Sequence, residues 1–123
     1  MRTAPPVTTR QTGQAAETAA CAYLEDRGLT LLGRNYRSPF GEIDLVMRDG
    51  ATLVFVEVRQ RANAQYGTPA ETVGARKQGR LRTTAEHYLQ QYPRESQKPC
   101  RFDIVAITDA PPDYRIEWLR DAF

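Results

Sequence analysis

Gly41-Glu-Ile-Asp-Leu-Val-Met-Arg-Asp-Gly50, followed by Ala51-Thr-Leu-Val-Phe-Val-Glu-Val-Arg59, is the stretch on which the reading of this chain turns. Glu42 to Arg48 and Thr52 to Arg59 are strand-like runs, and Asp49-Gly50 between them suits a tight hairpin turn. With Asp49 and Gly50 as the two central turn residues, Arg48 faces Ala51, Val46 faces Leu53, Asp44 faces Phe55 and Glu42 faces Glu57. Strand side chains alternate between faces. One face therefore carries Ile43, Leu45, Met47, Val54, Val56 and Val58, all apolar, and is expected to meet the core. The other carries Glu42, Asp44, Phe55, Glu57 and Arg59.

Scattered charges on a solvated strand are the plain alternative for that second face. The expected pairing argues against it, because Glu42 opposite Glu57 is a like-charge pair that a cation or proton must relieve. Asp44 and Glu57 lie diagonally within reach of one ion. Mg²⁺ or Mn²⁺ needs only one or two carboxylates beside waters and phosphate oxygens, and can activate water at a phosphoryl centre. Arg59 sets a fixed positive charge on the same face. These residues point to phosphodiester chemistry.

Working outward, residues 1–11 are rich in Thr and Pro without periodicity and are expected to be a flexible tail, with one domain over 12–123. A helix is expected from Thr12, as N-cap, to Arg27, with Ala16, Ala19, Ala20, Tyr23 and Leu24 as its apolar stripe and Gly28 just beyond its end. Leu29 to Leu32 reads as a short strand, and Ser38-Pro-Phe-Gly41 as a turn. Residues 60–70 read as a loop. A second helix is expected over Glu71 to Gln91, with Glu71 favouring the helix dipole and Pro93 ending it. Phe102 to Thr108 and Tyr114 to Leu119 complete the strands. This order predicts an α/β domain, helices packed on a small mixed sheet.

The chain has 123 residues, enough for one modest core, and Lys and Arg exceed Asp and Glu by only 17 to 15. That balance admits a nucleic-acid partner without arguing for one. Cys21 and Cys100 lack the spacing of zinc or redox pairs and read as core thiols. No apolar run matches a signal peptide or a membrane span, so the cytoplasm is the expected compartment. His87 reads as a surface or boundary residue.

Gly41-Glu-Ile-Asp-Leu-Val followed by Phe55-Val-Glu-Val-Arg resembles the PD-(D/E)xK nuclease superfamily. The chain most resembles the bacterial YraN-like family of predicted endonucleases, related to archaeal Holliday junction resolvases. The resemblance extends to Gly13, Glu17, Ala20, Tyr23-Leu24, Asn35-Tyr36, Tyr66-Gly67, Pro69, Lys77 and Arg101-Phe-Asp103. It implies a restriction-endonuclease-like core and a Mg²⁺-dependent endonuclease acting on DNA, including branched DNA. It makes Asp44, Glu57 and the backbone carbonyl of Val58 metal ligands. Glu17 would orient the attacking water. Glu42 stays open between a further ligand and a neighbour. Arg59 stands where the motif has lysine; arginine can stabilise charge but cannot act as a base. Gln60 takes a position where a small hydroxyl residue is common.

Arg59, Arg61, Arg76, Lys77, Arg80 and Arg82 gather between the hairpin and the second helix, and with Gln60 and Tyr66 they read as a phosphate-binding groove. Resolvase-like relatives imply a homodimer. A non-catalytic nucleic-acid-binding module is the rival reading, and an interaction protein with an acidic face is the third.

Overall fold

The computed structural model describes residues 9–61, 73–108 and 113–123, the side chains of residues 9–12 and 61 excepted. Its elements run α1 (Thr9–Asp26), β1 (Thr30–Ser38), β2 (Gly41–Asp49), β3 (Thr52–Arg61), α2 (Ala75–Gln91), a 3₁₀ turn (Pro93–Gln97), β4 (Cys100–Thr108) and β5 (Arg115–Leu119). The five strands form one sheet in sequence order. β1–β2, β2–β3 and β4–β5 are antiparallel, while β3 and β4, joined through α2, run parallel. The mixed α/β architecture is the one expected.

Both faces of this sheet are covered, which overturns the expectation of one core face and one polar face. Ala16, Ala20, Cys21 and Leu24 of α1 pack on Leu45, Met47, Val54, Val56, Val105 and Ile107. Leu81, Ala85 and Tyr88 of α2 pack on Val46, Leu53, Phe55 and Ile104. Phe55, expected beside the carboxylates, is 2% exposed and stacks on Phe102. A parallel pair needs a crossover, and the crossover helix must bury its apolar stripe on the sheet.

The hairpin register differs from expectation by two residues. Asp49 pairs with Thr52, Arg48 with Leu53 and Val46 with Phe55. The central turn residues are thus Gly50 and Ala51, with Gly50 at φ 59 in the position where a II′ turn requires glycine. Asp49 is released from the turn, and its carboxylate accepts from Arg101 and Arg120, each at 2.9 Å. A slide of two residues changes partners but preserves faces. The β2–β3 ladder also ends at Leu45 and Val56, so the expected Glu42–Glu57 opposition does not form, and Glu42 pairs only on its other side, with Arg37 of β1.

One local feature does reverse faces. Arg34 reaches α1, 3.7 Å from Glu17, whereas Tyr36 reaches α2, bonding His87 and packing edge-on to Tyr88. Residues two apart on a regular strand share a face. Asn35 between them has φ 54, a left-handed conformation that asparagine tolerates, and it turns the strand over. β2 follows its partner: Leu45 belongs to the α1 layer and Ile43 to the α2 layer. The β2–β3 pairing ends at Leu45 and Val56, so Asp44 lies where the strands part.

Element ends show further differences. α1 is already under way at Thr9, so Thr12 is internal rather than a cap, and part of the expected tail is helical. Gly28 does close it: at φ 97 its N–H bonds the Glu25 carbonyl, and that of Leu29 bonds the Leu24 carbonyl, a Schellman arrangement. β1 is nine residues long where four were expected. α2 starts at Ala75, and Glu71 lies outside the described residues. Cys21 is buried as expected, and burial, then Glu25, pushes its thiol up to about 11, which disfavours the thiolate. Cys100 is exposed, contrary to expectation, because it starts β4 at the rim of the sheet.

Candidate metal and phosphate site

Among the described residues Glu57 is the most deeply placed charge on the α2 face. It follows Val56 in the middle of β3, pairs with Ile104 of β4, and is 5% exposed. Its Oε1 lies 2.6 Å from Lys77 Nζ and 3.7 Å from Arg59. Asp44 enters from β2 at the strand reversal, and its Oδ2 accepts the Val58 N–H at 2.8 Å. That bond crosses the gap left where β2–β3 pairing ends. Burial, then the charge of Glu57, pushes the Asp44 carboxyl up to about 8 against the lowering effect of the Val58 bond; Glu17 and Glu42 push the same way. Among the described residues Asp44 has no ion-pair partner and accepts only from the Val58 amide.

A cleft of about 520 Å³ opens over this pair, lined by Gly41, Glu42, Asp44, Glu57, Gly74, Arg76, Lys77, Arg80 and Leu81. One wall is acidic and the other is the start of α2. Arg76 and Lys77 stand in the first turn of that helix, where no acidic residue balances them and no side chain caps the end. Cations there oppose the helix macrodipole and weaken the helix. Exposed N–H groups, the dipole and three basic side chains together suit a phosphate facing the carboxylates.

Glu17 approaches from α1. Besides its contact with Arg34, its Oε2 is buried and receives no hydrogen bond. It lines a second hollow with Asn35, Arg37 and Glu42, beside the first. The oxygen donors of Asp44 and Glu57, with an unsatisfied Glu17 oxygen nearby, fit a hard divalent cation. Among the described residues no three His, Cys, Asp or Glu side chains come together so as to hold a metal ion, so Glu17 does not join Asp44 and Glu57 in one ligand set. Mg²⁺ does not demand three.

The profile of one family matches residues 16–107, from α1 to the end of β4, and so covers every residue of this site that the structure describes. The chain belongs to the uncharacterised protein family UPF0102. It is 48% identical over 118 residues to a UPF0102 protein of Nitrosococcus oceani, covering 96% of this chain and 95% of that one. It is 49% identical over 114 residues to a UPF0102 protein of Methylobacillus flagellatus, covering 93% and 97%. A third, from Nitrosomonas europaea, is 50% identical over 111 residues, covering 90% and 92%.

In this UPF0102 chain the structure brings together Asp44, Glu57, Arg59, Lys77, Arg76 and Arg80, with Glu42 on the rim and Glu17 behind. Glu42 is exposed and 3.8 Å from Arg37. Val58 meets the site through its N–H, which bonds Asp44. Gln60 is exposed on β3 and does not line the cleft. Arg82 leaves the expected groove, lying over the rings of Phe102 and Phe123 at 5.3 and 5.5 Å. Helical spacing sends it that way, since Arg82 lies a half turn from Arg80. Tyr66 and the Arg61 side chain lie outside the described residues. His87 is half-buried, as a boundary residue should be, with Nδ1 2.5 Å from the Tyr36 hydroxyl.

Sequence reasoning placed Lys77 in the phosphate groove but missed its contact with Glu57. The available signal was its position in a helix start lacking acidic residues. No helix among the described residues is long and apolar enough to cross a membrane.

Proposed function

We propose that this UPF0102 chain is a divalent-cation-dependent nuclease of the PD-(D/E)xK type, hydrolysing phosphodiester bonds of nucleic acid, with DNA as the first substrate to test. One observation carries the reading. The buried carboxylate of Glu57 and the half-buried one of Asp44 share a single cleft with Arg76, Lys77 and Arg80. Opposed acidic and basic walls are what a cation and a phosphate bound side by side require.

Asp44 and Glu57 would hold Mg²⁺ or Mn²⁺, which when bound supplies Lewis acidity at the phosphoryl oxygen. The protein's own groups do the rest. Arg76, Arg80 and the start of α2 hold the backbone phosphate. Lys77 and Arg59, both beside Glu57, would offset charge that grows on the phosphoryl oxygens as water's oxygen bonds to phosphorus and the bond to the leaving sugar oxygen breaks, the proton that the attacking water gives up passing to solvent and the leaving oxygen taking one from solvent. Glu17, whose buried Oε2 receives no hydrogen bond among the described residues, would orient that water. Val58 fixes Asp44 through its amide.

The test is a cleavage screen on duplex, single-stranded and branched DNA with Mg²⁺ or Mn²⁺, alongside Asp44→Ala and Glu57→Ala. Metal-dependent products that both substitutions abolish are expected. Calorimetry with the metal alone gives a second readout, and binding unaffected by either substitution would remove the reading. The engagement of Glu57 by both Lys77 and Arg59 favours one rival, a binding module that retains the site without turnover. Asp44-dependent nucleic-acid binding with no product on any substrate would select it.

A further inference from the structure

We propose that Phe40 is a stacking platform for an unpaired base, so that the cleft accepts nucleic acid with a single-stranded segment beside the bond it acts on. This rests on the nucleic-acid reading above and names its substrate class.

Phe40 lies in the turn between β1 and β2, directly before Gly41 and Glu42, which line the carboxylate cleft. It is 52% exposed. Among the described residues the other exposed large apolar side chains, Leu32 and Tyr92, border a separate hollow near the end of α2. Phenyl groups gain by burial, and tight turns select Gly, Pro, Asn, Asp and Ser, so neither packing nor turn chemistry accounts for this ring.

The turn beneath it is fixed. The Phe40 N–H donates to Ser38 Oγ at 3.1 Å, and the Ser38 hydroxyl lies 3.4 Å from both Thr84 Oγ1 and the Gly41 carbonyl. Gly41 has φ 156, and a Cβ there would come within 3.3 Å of Thr84 Oγ1. The turn is therefore seated closely on α2. The ring itself meets His87 edge-on, with centroids 6.5 Å apart. A half-exposed aromatic ring held on a fixed turn loses little freedom when a flat partner settles on it.

Arg80 joins this aromatic to the cationic wall. Its Cβ would lie 3.9 Å from a Cβ at Gly41, one residue from Phe40, and it lines the cleft one helical turn from Arg76. Basic side chains interleaved with an exposed aromatic are the means by which single strands are held without base-specific readout. Phosphate contacts alone would not separate a duplex from a single strand. An intact duplex keeps its bases stacked inside and offers Phe40 no face.

The experiment is fluorescence anisotropy on labelled single-stranded, duplex and overhang-bearing DNA, using the full chain and its Phe40→Ala, Phe40→Leu and Phe40→Trp variants. Phe40→Ala and Phe40→Leu should weaken binding to the single-stranded and overhang forms about tenfold and leave duplex binding unchanged. Phe40→Trp should retain binding, with an emission change on adding single strand beyond that of the native protein. Circular dichroism melting of each variant checks the fold, and Phe40→Leu keeps the apolar bulk if Phe40→Ala unfolds. Equal weakening on all three forms, no weakening, or full retention by Phe40→Leu overturns the proposal. Asp44→Ala, run in parallel, separates the two levels. Asp44-dependent cleavage with Phe40 variants unaffected removes only the stacking role. A native chain that binds none of the three forms removes both.

Discussion

Two buried carboxylates sit one register position apart on neighbouring strands and live in opposite surroundings. Asp103 pairs with Val56, and Glu57 pairs with Ile104. Asp103 is fully buried and fully answered: Arg101 Nε at 3.0 Å, Trp118 Nε1 at 2.9 Å and the Asp121 N–H at 2.9 Å all donate to it. Arg101 also reaches Asp49, so this cluster ties the β2–β3 turn to the chain's end. Glu57 and Asp44 are instead set against each other, with Glu17 and Glu42 adding like charge. The first group has been given partners for every lone pair that matters. In the second, Lys77 and Arg59 answer Glu57, while Asp44 receives only the Val58 N–H among the described residues. Buried charge by itself marks nothing; the uneven supply of partners within one cleft is what separates the two groups.

Substitutions can break that contrast. The largest expected effect is Asp103→Ala, which leaves Arg101 with Asp49 alone and strands the Trp118 and Asp121 donors beside a buried void. It should cost about 3–5 kcal/mol in urea unfolding. A loss below about 1 kcal/mol would make Asp103 no more structural than a surface pair.

Asp44 should respond to pH with the opposite sign from an ordinary paired carboxylate. Burial pushes its carboxyl up to about 8 from the ordinary aspartate value of 3.8, so the folded protein holds a proton that the unfolded chain has already released. Stability from this group is complete below the unfolded pKa and falls as pH rises towards 8. Unfolding across that range should show the decline. Asp44→Asn or added Mg²⁺ should flatten it, and a decline unchanged by Asp44→Asn would assign it elsewhere.

Lys77→Met should lower kcat about 100-fold, the scale of losing one charge-stabilising donor, without weakening Mg²⁺ binding. Weaker metal binding in calorimetry would reduce Lys77 to a brace for Glu57. The smallest change is expected at Arg120, 58% exposed on the outer side of Asp49. Arg120→Ala should cost less than about 1 kcal/mol in the same urea assay, well short of Arg101→Ala.

The elements were legible because their signals are local: the Ala16–Leu24 stripe, Gly28 beyond it, β-branched runs and Pro93. The hairpin itself was legible, yet its register was not. Asp49-Gly50 matches one turn type, while Gly50-Ala51 served another and left Asp49 for Arg101 and Arg120. Asp44, Glu57 and Arg59 were found from strand alternation, which a two-residue slide does not disturb. Lys77 was seen as basic but not as a partner of Glu57, because that contact depends on where the crossover lays α2. Asp103 and Phe40 were missed as to role. A buried aspartate and an exposed phenylalanine look ordinary until burial is known.

The parallel pairing of β3 with β4 also sets an order of assembly. The antiparallel run β1–β2–β3 closes through short turns, whereas β4 reaches β3 only after the intervening chain and α2 have folded back. Non-local closure of this kind is slow relative to hairpin formation. Glu57 would stand on the early part and Lys77 on the late part. Their 2.6 Å contact should thus form among the final events of folding, and a probe on that pair would time the completion of the cleft rather than the collapse of the chain.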